Sequence, residues 1–164
     1  MEILDIVNEK NEVIGQAERE EIHRKKLPHR IVHVLVFNDQ RKLALHKRPP
    51  WNIFCPNGWT TSAGGHVDSG ESYKQAALRE YKEELGVSSP IKLAYEDIYE
   101  DGRGLKKFLQ TFKTIYNGPF NPDLEKVREI RFLTFDEIKN MINMGEIFHP
   151  ELLFLLLKHF NIMV

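Results

Sequence analysis

The stretch from Gly65 to Val87 most constrains this chain, because it carries carboxylates at a fixed spacing. Glu80 and Glu84 are i and i+4, so on a helix they project from one face, with Glu83 beside them. Carboxylates this close repel one another and raise each other's pKa values. A fold tolerates such a cluster when a cation lies among the carboxylates. Arg79 supplies one positive charge, and a divalent ion bound by oxygen ligands is the natural source of the rest.

The same stretch follows the pattern G-x5-E-x7-R-E-U-x-E-E-x-G-U, where U is a bulky apolar residue. This pattern resembles the Nudix box, the signature of hydrolases that cleave nucleoside diphosphates linked to another moiety. Tyr81 stands at the first U, where an aliphatic residue is usual, but tyrosine is large and mostly apolar and helix packing could absorb it. The alternative is a surface helix of salt bridges, which has no need of Gly65 and Gly86 at these offsets.

The resemblance implies hydrolysis of a phosphoanhydride bond by water with the help of Mg²⁺, with Mn²⁺ as a possible substitute. It also implies a small-molecule diphosphate as the substrate. The metal ligands that it implies are the Gly65 carbonyl, Glu80, Glu83 and Glu84.

The resemblance implies catalytic parts for four box residues. Arg79 is expected to orient the glutamates, and Glu71 to pair with Arg79 and fix the start of the helix. The general base is expected to be Glu83 or Glu80. Acidic residues outside the box remain alternatives for that base: Glu96, Asp97, Glu100, Asp101, Glu125 and Glu129.

The length of 164 residues favours one domain over residues 1–164. A net charge of −1 gives no electrostatic case for a stable nucleic-acid partner or an anionic membrane. The only cysteine, Cys55, fits a reducing compartment. The start lacks the pattern of a signal peptide, and the longest apolar run, 152–157, is too short to span a bilayer. We therefore expect a cytoplasmic protein with no membrane partner, and the oligomeric state stays open, a dimer included.

Periodicity and turn residues predict seven strands, at residues 2–7, 12–17, 30–37, 42–47, 91–98, 107–116 and 127–133. Helices are predicted over 18–25, from a cap at Ser69 or Ser72 to Leu85, over 135–144 after a Thr134 capping box, and from Pro150 onward. Strands around a central helix, followed by terminal helices, favour a mixed sheet with helices on both faces. The resemblance implies the α/β fold of the Nudix family, an α/β/α sandwich.

Residues 48–58 are predicted to form an irregular loop, because the segment holds three prolines, two aromatic residues and a glycine. Trp51, Phe54 and Trp59 lie in or beside this loop and are candidates to bind substrate by stacking on a base. The alternative is that these rings cover one edge of the sheet. Lys47 and Arg48 could clamp a phosphate, although paired basic residues at a strand end are more often solvated.

Outside the box, residues 1 to about 140 resemble the isopentenyl-diphosphate isomerase branch of the superfamily more loosely. The similar segments are Asp5-Ile6-Val7-Asn8, Leu27-Pro28-His29-Arg30 and the run from Trp59 to His66. Isomerases of this branch carry a Cys-Gly-His triplet just before the box and a pair of glutamates on a later strand. Here the triplet is Gly64-Gly65-His66, and residues 105–111 hold no glutamate. Because an isomerase must both deliver and remove a proton, we expect a hydrolase of this branch.

Three alternatives remain open. An isopentenyl-diphosphate delta-isomerase would need other proton-transfer groups. A nucleotide-binding module without catalysis would have no need of all the box glutamates. The last alternative is an additional metal site. His23, His29 and His66 fall near the positions where isomerases assemble a second metal site, and they could bind zinc or manganese. The partner glutamates are missing, so His29 could equally be a surface residue and His66 a loop residue near substrate.

Overall fold

A computed structural model describes residues 1–162 of the chain. The strands are β1 Ile3–Val7, β2 Val13–Glu18, β3 His29–Phe37, β4 Leu43–Lys47, β5 Trp59–Thr60, β6 Ala63–His66, β7 Lys92–Glu100, β8 Lys106–Ile115 and β9 Glu129–Leu133. The helices are α1 Arg19–Lys25, α2 Tyr73–Leu85, α3 Phe135–Asn143 and α4 Pro150–Phe160. All the predicted elements are present, with ends that differ by a residue or two. The short strands β5 and β6 were not predicted, because two to four residues are too few to show a period.

The main sheet has seven strands in the order β5-β4-β3-β8-β7, with β6 paired to β3 and β9 paired to β4. The pair β3–β8 is parallel and the other pairs are antiparallel. Strands β1 and β2 form a separate antiparallel hairpin. The expected mixed sheet of an α/β fold is therefore confirmed.

Alternating side chains of β3 point to the two faces of the sheet, as the period of a strand requires. Val32, Val34 and Val36 pack in one apolar cluster with α2, whereas Leu35 packs in a second cluster with α3 and α4. The sheet therefore lies between two helical layers. None of the helices within residues 1–162 is long and apolar enough to cross a bilayer.

Helix α2 is defined at both ends by local chemistry. Ser72 caps its start in a capping box with Gln75, so Ser72 rather than Ser69 is the cap. Gly86 ends it in the left-handed conformation with φ 70°. Tyr81 is fully buried and its hydroxyl lies 2.9 Å from Ser89 Oγ, so helix packing does absorb the tyrosine at the box position. These contacts fix which face of α2 meets the sheet.

Helix α4 starts beside the main sheet. Pro150 occupies its first turn, as predicted, and His149 is its N-cap. Helix α3 has the predicted capping box of Thr134 and Glu137. At the start of α4, Glu151 lies against His33 in the middle of β3, where β6 pairs with that strand.

Candidate active site

The carboxylates of α2 meet the backbone of β6. Oε1 of Glu84 accepts a hydrogen bond of 2.9 Å from the backbone N–H of Gly64, and Glu84 is only 8% exposed. The carboxylate of Glu80 lies directly against Gly65. Glu83, on the outer side of the pair, is exposed. The structure thus brings together the three carboxylates expected to bind metal and the Gly65 backbone.

Arg79 joins the loop before the helix to these carboxylates. It donates bidentate hydrogen bonds to Glu71, from Nε to Oε2 at 2.7 Å and from Nη2 to Oε1 at 2.9 Å. Its Nη1 donates to Glu80 Oε1 at 2.9 Å, and its Nη2 also donates to the carbonyl of His66 at 3.0 Å. Glu71 Oε1 accepts from the backbone N–H of Asp68 at 2.9 Å. The expected pairing of Glu71 with Arg79 is therefore present, and it ties the loop to the helix.

The protonation of the cluster is governed mainly by burial. Burial raises the pKa values of Glu80 and Glu84, and in Glu84 the neighbouring Glu80 raises the pKa further. The hydrogen bonds from Arg79 lower the pKa of Glu71, the more exposed carboxyl. The sequence argument gave mutual repulsion as the cause, whereas loss of solvent is the larger one. Carboxyl oxygens in such surroundings favour an added positive charge.

His46, which the sequence analysis did not single out, faces Glu84. Burial lowers the pKa of His46 to about 4, so the ring is neutral at pH 7. Its Nδ1 lies 2.9 Å from the carbonyl of Ser62, which can only accept, so Nδ1 carries the hydrogen. The bare Nε2 then lies 3.6 Å from Glu84 Oε2. A single histidine in an alternating strand gives no sequence signal for this contact.

A cavity of about 1350 Å³ runs from the box carboxylates to the start of α4. On the α4 side it is lined by His33, Lys107, His149 and Glu151. Glu151 is buried; its Oε1 lies 2.9 Å from His33 Nε2 and its Oε2 accepts from Lys107 Nζ at 2.7 Å. Sequence reasoning missed all four residues. The available signals were a histidine inside the apolar run of β3 and a glutamate at the start of an otherwise apolar helix.

The loop of residues 48–58 borders this cavity, and it is irregular as predicted. Trp51 and Phe54 are 57% and 50% exposed and line the cavity, and Arg48 lines it beside them. Trp51 Nε1 donates to the carbonyl of Glu125 at 3.2 Å. Arg48 donates to the carbonyl of Phe54 through Nε and Nη2. These contacts hold two aromatic rings and one guanidinium at the cavity.

The expectation that Trp59 and Lys47 are available to substrate is corrected. Trp59 is 1% exposed and packs in the core between β4 and the helices, where its Nε1 donates to Glu146 Oε1 at 3.3 Å. Lys47 is its cross-strand partner, and Lys47 Nζ lies 5.7 Å from the centre of the Trp59 ring, outside the cavity lining. The physical reason is that Trp59 belongs to the strand β5, whose pairing turns the ring into the core.

The acidic residues outside the box are not equivalent. Asp101 and Glu125 line the cavity. Asp97 instead accepts ion pairs from Lys158 and His159 at 2.6 and 2.8 Å. The residues that do not line the cavity are Glu96, Asp97, Glu100 and Glu129.

His23, His29 and His66 come together, with one ring nitrogen of each within 4.8 Å of the others. His29 is fully buried, so its alternative reading as a surface residue is wrong. Its Nδ1 lies 2.9 Å from the carbonyl of Leu27, and its Nε2 is buried without a hydrogen-bond partner. Burial lowers the pKa of His29 to about 3 and of His23 to about 4, so both rings are neutral at pH 7. Glu2 approaches the cluster, with its Oε1 3.4 Å from His66 Nδ1.

Comparisons with known proteins agree with this geometry. The sequence model of the NUDIX domain matches residues 27–156. The Nudix hydrolase SCO1686 of Streptomyces coelicolor is 33% identical over 147 residues, which cover 88% of this chain and 81% of that protein. The Nudix hydrolase YfcD of Escherichia coli is 33% identical over 137 residues, 84% of this chain and 76% of that one.

Among solved structures, the crystal structure of DR0079 from Deinococcus radiodurans superposes with a TM-score of 0.82. It is 28% identical and the match covers 94% of this chain and 96% of that one. The family match over most of the chain, the box glutamates assembled around Arg79 and the shared fold lead to one conclusion: this chain belongs to the NUDIX domain family and is a Nudix-type hydrolase.

Proposed function

We propose that this enzyme hydrolyses a phosphoanhydride bond in a nucleoside diphosphate derivative or a related organic diphosphate, with Mg²⁺ or Mn²⁺ as the cofactor. The single observation that carries the proposal is the pair of partly buried Glu80 and buried Glu84, packed against the Gly64–Gly65 backbone at one end of the cavity. The substrate is a small molecule, and neither nucleic acid nor a membrane is a stable partner.

The donor set of the site fits a hard divalent ion. Glu80, Glu83, Glu84 and the Gly65 carbonyl offer only oxygen atoms, the ligands that Mg²⁺ prefers. Desolvation raises the pKa values of buried Glu84 and partly buried Glu80, so an added cation would offset the loss of solvent around their charges. When bound, the ion would lower the pKa of water and offset the negative charge of the diphosphate.

The protein groups around the carboxylates have separate parts in this reaction. Arg79 holds Glu80 in place through Nη1 and is itself fixed by Glu71. Glu83 or Glu80 would take the proton from the attacking water, and both lie at the cavity. Arg48 would bind a phosphate, and Trp51 and Phe54 would contact the moiety beyond it, since all three line the cavity.

We place the enzyme on the isopentenyl-diphosphate isomerase-like branch, as a hydrolase and not an isomerase. A Cβ at Gly64, where isomerases carry their cysteine, would lie 2.7 Å from His33 Nδ1 and 2.8 Å from the carbonyl of Val32. The place of that thiol is therefore taken by the imidazole of His33. The cavity wall there is charged, with Lys107 and Glu151, which suits a polar substrate better than a prenyl chain.

A second ion at His23, His29 and His66 is also proposed. The closeness of the three rings and the unpartnered Nε2 of His29 support it. Neutral imidazoles suit zinc or manganese. We further infer that residues 1–164 act as one domain. The lone free Cys55 fits a reducing compartment such as the cytoplasm.

A hydrolysis screen tests the proposal, with the phosphorylated products separated and identified by chromatography. Wild-type protein is assayed with Mg²⁺ or Mn²⁺ on nucleoside di- and triphosphates, sugar nucleotides, dinucleotides and prenyl diphosphates. At least one compound should be hydrolysed, and Glu80→Gln should lower kcat by roughly 10²–10³. The matched control is Glu9→Gln, which makes the same change at an exposed position in the loop 8–12 of the β1–β2 hairpin. Its kcat should equal that of the wild type. Hydrolysis of no compound, or wild-type turnover in Glu80→Gln, would overturn the proposal.

A further inference from the structure

The α4 side of the cavity holds a group of side chains to which the hydrolysis reaction assigns no part. Its hub is Glu151, in the first turn of α4, which is buried. Its carboxylate accepts from Lys107 Nζ at 2.7 Å and lies 2.9 Å from His33 Nε2. Burying a carboxylate is costly unless it is paired, and here the hydrogen bond to His33 and the charge of Lys107 outweigh burial and keep the pKa of Glu151 below its usual range. The arrangement holds the ammonium of Lys107 at the cavity wall.

His149 adds a second donor to this wall. The backbone N–H of Glu151 donates to His149 Nδ1 at 3.1 Å, so Nδ1 is the acceptor and the hydrogen of the neutral ring is on Nε2. Burial lowers the pKa of His149 to about 4, which keeps the ring neutral. His149 is only 8% exposed and lines the cavity, and its Nε2 has no hydrogen-bond acceptor among residues 1–162. This donor reaches the cavity, where an acceptor of a ligand can take the place of solvent.

Arg48 supplies further positive charge on the same cavity. The other arginines and lysines that line it each have a carboxylate within 4.0 Å. Arg48 has none among the described residues. Its guanidinium is partly neutralised only at longer range by Glu84 and Glu151. The α4 side therefore presents the ammonium of Lys107, the neutral N–H of His149 and the guanidinium of Arg48. The carboxylate of Glu151 on this side is already paired with Lys107 and His33.

We infer that Lys107 and His149 are specificity-determining residues that bind an anionic oxygen group, a phosphate ester or a carboxylate, on the part of the substrate beyond the scissile diphosphate. This inference rests on the proposed function, because it names the substrate class of the same site. Glu151 acts as a positioning residue: its carboxylate holds Lys107 and its backbone fixes the tautomer of His149. The anionic group offers only hydrogen-bond acceptors, and Lys107 and His149 offer only donors to it. A compound that lacks the anionic group would leave these donors unpaired, so the site discriminates against that compound.

Two pairs of diphosphate compounds test the inference, since each pair differs by one anionic group. NADP⁺ carries a phosphate that NAD⁺ lacks, and UDP-glucuronate carries a carboxylate where UDP-glucose has a hydroxymethyl group. Each compound competes with the best substrate of the screen, and its inhibition constant is measured. In the wild type, the anionic member of at least one pair should bind about tenfold or more tightly, the scale of a charged hydrogen bond. The pair that responds identifies phosphate or carboxylate as the group.

The variants separate recognition from folding, because the ratio within a pair does not depend on the active fraction of a preparation. Lys107→Met should reduce the ratio to near one, and Lys107→Arg should keep most of it. His149→Ser, which retains a helix N-cap but removes the donor, should lower the ratio. Lys113→Met is the matched control: Lys113 lies on the same strand, bonded to Tyr95 and outside the cavity lining, and the ratio should not change.

Four outcomes are decisive. Equal inhibition constants within both pairs, or a ratio that survives Lys107→Met, would overturn the inference while leaving the proposed hydrolase intact. If no compound of the screen is hydrolysed, the proposed function fails and this inference fails with it. A ratio lost in Lys107→Met but kept in Lys113→Met supports the assignment.

Discussion

The carboxylate of Glu80 lies in the space beside the α-carbon of Gly65 where any other residue would carry its Cβ. Arg79 Nη1 donates to the same carboxylate at 2.9 Å. The carboxylate is therefore confined between the backbone of β6 and the guanidinium. The box glycine has a steric part in the site, separate from the carbonyl ligand that it is proposed to supply.

Gly65→Ala should displace Glu80 and lower turnover. A shift of about 1 Å at a reacting centre can lower the rate by roughly 10²-fold, and we expect a loss of that order in kcat. The measurement is the rate of Mg²⁺-dependent hydrolysis of the best substrate. Gly15→Ala is the control, because its added methyl group would make only an ordinary contact with Ile6, at 3.7 Å. Full activity in Gly65→Ala would contradict the steric part assigned to this glycine.

Glu84→Gln should lower kcat by roughly 10²–10³, the scale on which one well-placed electrostatic group contributes. Glutamine keeps the oxygen that accepts from Gly64 N–H but loses the negative charge. The metal should consequently bind less well, which a titration of rate against Mg²⁺ concentration would detect. Wild-type turnover at every Mg²⁺ concentration would refute the metal-binding part of Glu84.

Without metal, the contribution of Glu80 and Glu84 to the stability of the wild type should fall as the pH rises above the ordinary range of a glutamate. Burial raises the pKa values of Glu80 and Glu84, so the folded state binds protons that the unfolded state releases. This contribution is fully present below the unfolded pKa and is lost as the pH rises through the folded one. The histidines with lowered pKa values act in the opposite sense, so the measurement is the difference in Tm between the wild type and Glu84→Gln in EDTA. This difference, wild type minus variant, should fall from pH 4 to pH 9. An equal or steeper fall in the variant would exclude this explanation.

Trp51 and Trp59 should respond in opposite ways to replacement by alanine. Trp51 is exposed at the cavity, so Trp51→Ala should raise KM or alter the ranking of substrates with little change in Tm. Trp59 is buried in the core, so Trp59→Ala should reduce the free energy of unfolding by about 3–5 kcal/mol. Melting and a kinetic panel on both variants check this. Unchanged kinetics in Trp51→Ala would assign its ring to packing alone.

The histidine cluster should bind one transition-metal ion when Mg²⁺ in excess occupies the carboxylates. Calorimetry with Zn²⁺ should give one site in the wild type. His23→Asn should lower the Zn²⁺ affinity of this site. The loss should exceed the roughly 10–100-fold seen when a residue that only hydrogen-bonds a metal ligand is removed. His159→Asn, at a histidine that pairs with Asp97 outside the cluster, should leave the site unchanged. Absence of Zn²⁺ binding in the wild type would remove the second site.

The wild type should not isomerise isopentenyl diphosphate. Incubation in deuterated water should yield no deuterium-labelled dimethylallyl product. Gly64→Cys should not create the activity either, since the new Cβ would meet the His33 ring and the Val32 carbonyl. Label incorporated by the wild type at enzyme-like rates would contradict the assignment as a hydrolase.

The sequence by itself determined the local parts of this protein. The spacing of Glu80 and Glu84 fixes which carboxylates one helix face can present, because 3.6 residues per turn is a local rule. The elements and the irregular loop followed from equally local signals of period, caps and prolines. The pairing of Glu71 with Arg79 was expected from the resemblance to the Nudix box.

Only the tertiary structure decided what distant segments do together. The pairing of β5 with β4 turned Trp59 into the core and left Trp51 at the cavity, although the two rings are close in sequence. Likewise, His33 in the middle of β3 and Glu151 in the first turn of α4 meet across 118 positions. Burial and partners of this kind depend on how strands and helices stack, which no local pattern encodes. The box was therefore readable from the sequence, whereas the α4 side of the cavity was not.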